Sequence, residues 1–123
     1  MRSIPCSIES VTAHTEVYWS LTIAFADVEK AALQFAGVHQ GCIPKIVFTD
    51  PHSVQTLSIF PNSVTMGSRT VSISKTWLEA IWHLFLDFCL NGWTDAAHID
   101  AEFPDAEGIV NITVEIEPPL SNL

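Results

Sequence analysis

Residues 74–92, SKTWLEAIWHLFLDFCLNG, decide the fold. They form the longest apolar periodic run in the chain. Ser74 suits a helix N-cap, because its hydroxyl can accept a hydrogen bond from an amide left without a partner in the first turn. Asn91 and Gly92 supply the stop, since glycine tolerates the left-handed conformation at a helix end. Between these signals lie Trp77, Leu78, Ile81, Trp82, Leu84, Phe85, Leu86, Phe88, Cys89 and Leu90. Only Thr76, Glu79, His83 and Asp87 make a polar stripe. A helix with so narrow a polar stripe must be covered on most sides. The run 74–91 is therefore predicted to be a central core helix with a sheet packed against it.

Outward from that helix, the flanking segments read as strands. Downstream, Ala97, Ile99, Ala101 and Phe103 alternate with His98, Asp100 and Glu102, and 109–117 alternates in the same way. The period of two marks half-buried strands. The intervening 104–108 is of hairpin length. Paired residues share a face, so Phe103 opposite Val110 puts Glu102 with Asn111, Asp100 with Thr113 and His98 with Glu115. Upstream, 45–49, 54–60 and the short extended pieces 64–66 and 70–73 form a strand block. Asp50-Pro51-His52-Ser53 marks a turn within it. Residues 27–36 make a shorter helix, with Asp27 as cap, Gly37 as stop, and an apolar face of Val28, Ala31, Ala32 and Phe35. Residues 4–13 and 16–25 form a first hairpin around Ala13-His14-Thr15. The expected fold is α+β in the order ββ-α-βββ-α-ββ, a mostly antiparallel curved sheet packed on helices 74–91 and 27–36. The length of 123 residues fits one domain spanning 1–123.

Charge is the sharpest compositional fact. The formal net charge is −9. Residues 1–75 balance five acids (Glu9, Glu16, Asp27, Glu29, Asp50) against five bases (Arg2, Lys30, Lys45, Arg69, Lys75), whereas 76–123 hold nine acids and no lysine or arginine. A one-sign field opposes binding to nucleic acid and to anionic membranes, and favours encounter with a basic partner. The N-terminus lacks a signal-like apolar stretch and no run is suited to span a bilayer, so a cytoplasmic protein is expected. Three cysteines (Cys6, Cys42, Cys89) without a CxxC argue against a disulfide scaffold. Cys89 reads as a core residue, and Cys6 and Cys42 as free thiols.

Few residues suggest chemistry. Glu79, His83 and Asp87 share a helical stripe but lack the second histidine of a zinc site. His39 and Cys42 form an HxxC pair without an orienting third group. His14 and His52 fall in turns. No GxSxG or phosphate-cradling glycine loop is present. Among the tryptophans, Trp19 points inward on its strand, and one of Trp77 and Trp82 packs on the sheet. Trp93 beside the acids would be a binding anchor. The C-terminal hairpin and its loop gather His98, Asp100, Glu102, Asp105, Glu107, Glu115, Glu117 and Trp93, which are the expected partner-binding residues. No catalytic residue, metal or cofactor is expected.

The expected function is that of a small acidic bacterial binding protein. It would neutralise a basic partner in a heterodimer, as an immunity protein inhibits a nuclease or other polymorphic-toxin domain. From the first helix onward, the order α-βββ-α-ββ is similar to that of type III secretion chaperones. This resemblance implies a homodimer that holds an effector, although that family closes with a third helix and this chain ends in a strand. A small enzyme or ligand-binding domain using His83, His98 or Cys42 is the remaining alternative.

Overall fold

The computed structural model describes residues 3–92 and 98–118. Its elements run β1 (Ile4–Pro5), β2 (Ser7–Ala13), β3 (Glu16–Ile23), α1 (Val28–His39), β4 (Ile46–Thr49), β5 (Thr56–Phe60), β6 (Ser63–Met66), β7 (Arg69–Ser72), α2 (Lys75–Asn91), β8 (His98–Asp105) and β9 (Gly108–Ile116). The class is α+β, as the periodicities predict. The strands divide into two sheets, ordered β1-β4-β5-β6-β7 and β2-β3-β9-β8. The block between the helices has four strands, because the two short extended pieces pair as a hairpin, β6 with β7.

Helix α2 begins and ends where its caps predict. Ser74 Oγ accepts the Trp77 amide at 3.1 Å, and Gly92, at φ 79°, donates its amide to the Phe88 carbonyl. Trp77, Leu78, Ile81, Phe85 and Phe88 are its buried face. Phe85 meets Phe35 of α1, and Trp77 meets Phe103 of β8 edge-on at 5.1 Å between ring centroids. The far side is less covered than so apolar a sequence suggests: Cys89 is exposed and Leu90 is 81% exposed. Cys89 is thus a surface residue and not part of the core.

Helix α1 runs through Gly37 to His39, three residues past the predicted end at 36. A Cβ on Gly37 would sit 3.0 Å from the Ile43 side chain, so this glycine serves close packing and not the stop. The stop is Gly41, at φ 77°. There the Cys42 amide bonds the Gly37 carbonyl and the Gly41 amide bonds the Val38 carbonyl, the paired pattern of a Schellman ending. Asp27 precedes α1 but makes no side-chain cap bond; its carboxylate lies 3.9 Å from Lys30 Nζ.

The first extended run is one strand shared between the two sheets. Ile4 and Pro5 pair in parallel with β4, while Ser7–Ala13 pairs antiparallel with β3. The changeover at Cys6 is held by two bonds. The Cys6 amide donates to the Thr49 carbonyl, and the Ile8 amide donates to Asp50 Oδ2 at 2.9 Å. Asp50 is the buried charged side chain among the described residues. Its other oxygen accepts the His52 and Ser53 amides, closing the turn that the sequence predicts. These backbone donors, Ile8 and His52 foremost, hold its carboxyl down at about 2.

At the opposite edges, β7 and β8 approach through Arg69 and Asp105. Arg69 Nε and Nη2 each donate to one Asp105 oxygen at 2.8 Å, a forked pair that is largely shielded. The core between sheets and helices includes Ile4, Leu21, Phe35, Phe48, Ile59, Ile81, Phe85, Ile112 and Val114. Among the described residues, no helix is long and apolar enough to cross a membrane.

Two stability predictions follow from these constraints. A Cβ at Gly108 would collide with the Thr15 carbonyl oxygen, and Gly108 sits at φ 137°. Gly108→Ala should therefore destabilise the fold by on the order of 2 kcal/mol or more in denaturant titrations. The Asp50 carboxyl is depressed in the folded chain, so its contribution is complete above about pH 4 and fades as the pH falls toward 2. Asp50→Asn should lower stability at neutral pH and flatten that acid limb; an unchanged acid limb would show that the carboxylate does not clamp the bend.

Candidate functional site

The C-terminal hairpin has the predicted register: Phe103 opposes Val110, Glu102 opposes Asn111, Asp100 opposes Thr113 and His98 opposes Glu115. The inner residues Phe103, Val110, Ile112 and Val114 are buried, which turns the polar set to the outer face. Strand β9 also pairs in parallel with β3, and β3 pairs with β2. The outer face therefore continues across four strands. One row reads Glu102, Asn111, Tyr18, Val11; the next reads Asp100, Thr113, Ser20, Glu9; the third reads His98, Glu115, Thr22, Ser7. Glu16 lies on the same face two residues before Tyr18.

Five carboxylates thus share one sheet face: Glu9, Glu16, Asp100, Glu102 and Glu115. The described bases lie on other elements: Lys30 on α1, Lys45 before β4, Arg69 on β7 and Lys75 on α2. Two apolar side chains stand among the acids, Tyr18 at 39% and Val11 at 57% exposure. The Tyr18 hydroxyl donates to Glu16 Oε2 at 3.3 Å. Thr113 Oγ1 donates to Asp100 Oδ1 at 2.7 Å, and His98 Nε2 lies 3.7 Å from Asp100 Oδ2. The phenol of Tyr18 is pushed above its ordinary value, first by the charge of Glu16, then by partial burial, by its bond to Glu16 and by Glu102. The face is electronegative with a short apolar centre.

Of the predicted partner-binding residues, the structure brings His98, Asp100, Glu102 and Glu115 together on this face. Asp105 lies apart from it, held by Arg69, whose hydrogen bond keeps its carboxyl below the ordinary range. Glu107 is exposed, 3.8 Å from Arg69 Nη1. Glu117 follows the end of β9, its amide bonded to the Ile23 carbonyl, and borders a recess with Ser7, Thr22 and Asp50. Trp93 falls outside the described residues. Glu9, Val11, Glu16 and Tyr18 carry no hairpin signal of their own linking them to β8 and β9. Each alternates correctly within its strand, but only the parallel β3–β9 pairing adds them to the site.

The other candidates find separate places. Glu79 lies 4.0 Å from Lys75 Nζ, and Asp87 accepts a bond from Asn91 Nδ2. His83 is exposed beside Trp82, and His39 lies against the same indole, 4.9 Å between ring centroids. Cys42 is exposed. Cys6 is buried, and burial pushes its thiol up to about 12, which leaves it protonated and unreactive. Among the described residues, no group of His, Cys, Asp or Glu could hold a metal ion. A cleft of about 720 Å³ lies elsewhere, lined by Ser10, Trp19, Val54, Thr56, Met66 and Arg69 among others. It contains none of His83, His98 or Cys42. No family model, curated protein or solved structure matches the chain.

Tyr18 is the single tyrosine of the chain, so its titration reports on this face without interference. Glu16→Gln should bring the phenol down toward 10, followed by phenolate absorbance. An unchanged titration would show that Glu16 does not act on Tyr18.

Proposed function

We propose that the protein is a small binding protein whose four-stranded sheet presents its outer face to a basic protein partner, and that it inhibits that partner as an immunity protein inhibits a toxin domain. The observation that carries this reading is the gathering of Glu9, Glu16, Asp100, Glu102 and Glu115 around Tyr18 and Val11 on a face free of described lysine and arginine. An array of carboxylates on one sheet face imitates the charge that a cationic, phosphate-holding surface is built to meet. Long-range attraction speeds encounter, and a central aromatic side chain slows departure. A partner of this kind would be neutralised by occlusion, with no chemistry required of this chain.

A second reading, a dimeric effector chaperone, draws on Leu33 at 68% and Leu90 at 81% exposure on the helices. It requires a stable homodimer through that layer, and the four strands between the helices depart from the three of the resembling family.

The test is capture of the partner followed by binding kinetics with two variants. Replacing Glu16, Asp100, Glu102 and Glu115 with their amides should slow association by on the order of tenfold or more at low salt and flatten its salt dependence. Tyr18→Ala should chiefly speed dissociation, by about thirtyfold for a loss of about 2 kcal/mol. Association indifferent to both salt and the amide substitutions contradicts the reading.

A further inference from the structure

Both edge strands of the four-stranded sheet, β2 and β8, lack a further strand partner among the described residues. On the β8 side, Arg69 of β7 reaches across to Asp105. On the β2 side, β3 is the one described strand that pairs with Ser7–Ala13. The direction of the free groups can be read from the bonds at the start of β2. The amides of Cys6 and Ile8 point away from β3, to the Thr49 carbonyl and to Asp50. In an antiparallel pair, successive residues alternate between bonding the partner strand and facing away from it. Ser10 and Thr12 therefore turn their amides and carbonyls outward as well. Asp50 satisfies the edge at Ile8, and nothing described pairs with it at Ser10 or Thr12.

The β2 edge borders the cleft of about 720 Å³. Ser10 lines it, together with Val17 and Trp19 of β3, the turn residue Val54 and the β6–β7 hairpin. Val54 is 80% exposed and holds φ 59°, a conformation that β-branched residues avoid. The cleft thus has an exposed apolar rim and a floor that includes buried Trp19. This edge is lightly protected: β2 carries one charge, Glu9, and contains no proline and no lysine.

We infer that an extended basic segment of the partner adds to β2 as a fifth strand, bonding the Ser10 and Thr12 backbone. Alternate side chains of such a strand would lie beside Glu9 and Val11 on the acidic face, and the others over the cleft near Val54 and Met66. A segment alternating basic with small apolar residues meets both surroundings. This inference rests on the acidic-face reading for the charge of the occupant, and on the β2 edge alone for the mode of binding.

The test uses a short blocked peptide alternating lysine with valine, its threonine–valine analogue, and amide exchange on the intact chain. The lysine–valine peptide should bind, slow exchange at Ser10 and Thr12 by tenfold or more, and leave Ile8, already bonded to Asp50, little changed. Thr12→Pro removes an outward amide without touching the β3 ladder, and should weaken binding by tenfold or more while circular dichroism stays that of the parent. No binding, unchanged exchange at Ser10 and Thr12, or full binding by Thr12→Pro overturns the proposal. So does a dimer of the chain itself that Thr12→Pro dissolves, since the edge would then receive a second copy. If the threonine–valine analogue binds equally well, the edge receives a strand but the acidic face does not select it. If carboxylate-to-amide substitution abolishes binding and Thr12→Pro does not, the face stands and strand addition falls.

Discussion

The bond from the Ile8 amide to the buried carboxylate of Asp50 is the constraint on which the architecture depends. It stands where the first strand leaves one sheet for the other. Without an acceptor at that point, the Ile8 amide would be left unpaired next to the core, at a cost of about 1–3 kcal/mol. With it, Ile4 and Pro5 pair with β4 while Ser7–Ala13 pairs with β3. The forked Arg69–Asp105 pair does the corresponding work between β7 and β8. Between these two joints the buried faces of α1 and α2 find cover in one core shared with both sheets.

That arrangement determines what the surface can do. The four-stranded sheet turns its apolar residues to the helices, so its polar set must face outward, and most of the acids on β8 and β9 go with it. Pairing β3 beside β9 brings Tyr18 into the middle of this set and Glu16 next to it. A central aromatic side chain ringed by like charges is costly to arrange by self-repulsion. It gains from a partner that supplies positive charge and covers the ring. Asp105 at the end of β8 behaves differently: it is neutralised within the fold by Arg69, and its charge is unavailable to a partner.

Local signals made much of this legible. The caps at Ser74 and Gly92 set α2, and strict alternation on both sides of residues 104–108 set the hairpin register to the residue. What escaped the sequence lies in contacts between distant segments. Asp50 reads as a turn residue, which it is, but its bond to Ile8 spans 42 positions. Gly37 reads as a helix stop because nothing nearby says that Ile43 packs against it, and the stop falls at Gly41. Cys89 and Leu90 read as core from composition alone, whereas the last turn of α2 emerges from the layer. Half of the acidic face was readable from the hairpin; Glu9, Val11, Glu16 and Tyr18 join it only through the parallel β3–β9 ladder.

The measurement that bears most directly on this account is the footprint of the captured partner, mapped by amide exchange and cross-linking on the intact complex. A partner bound as proposed leaves its footprint on the outer face of β2, β3, β9 and β8, centred on Tyr18. A footprint on the helices around Leu33 and Leu90, with the Tyr18 face left open, would contradict the proposal.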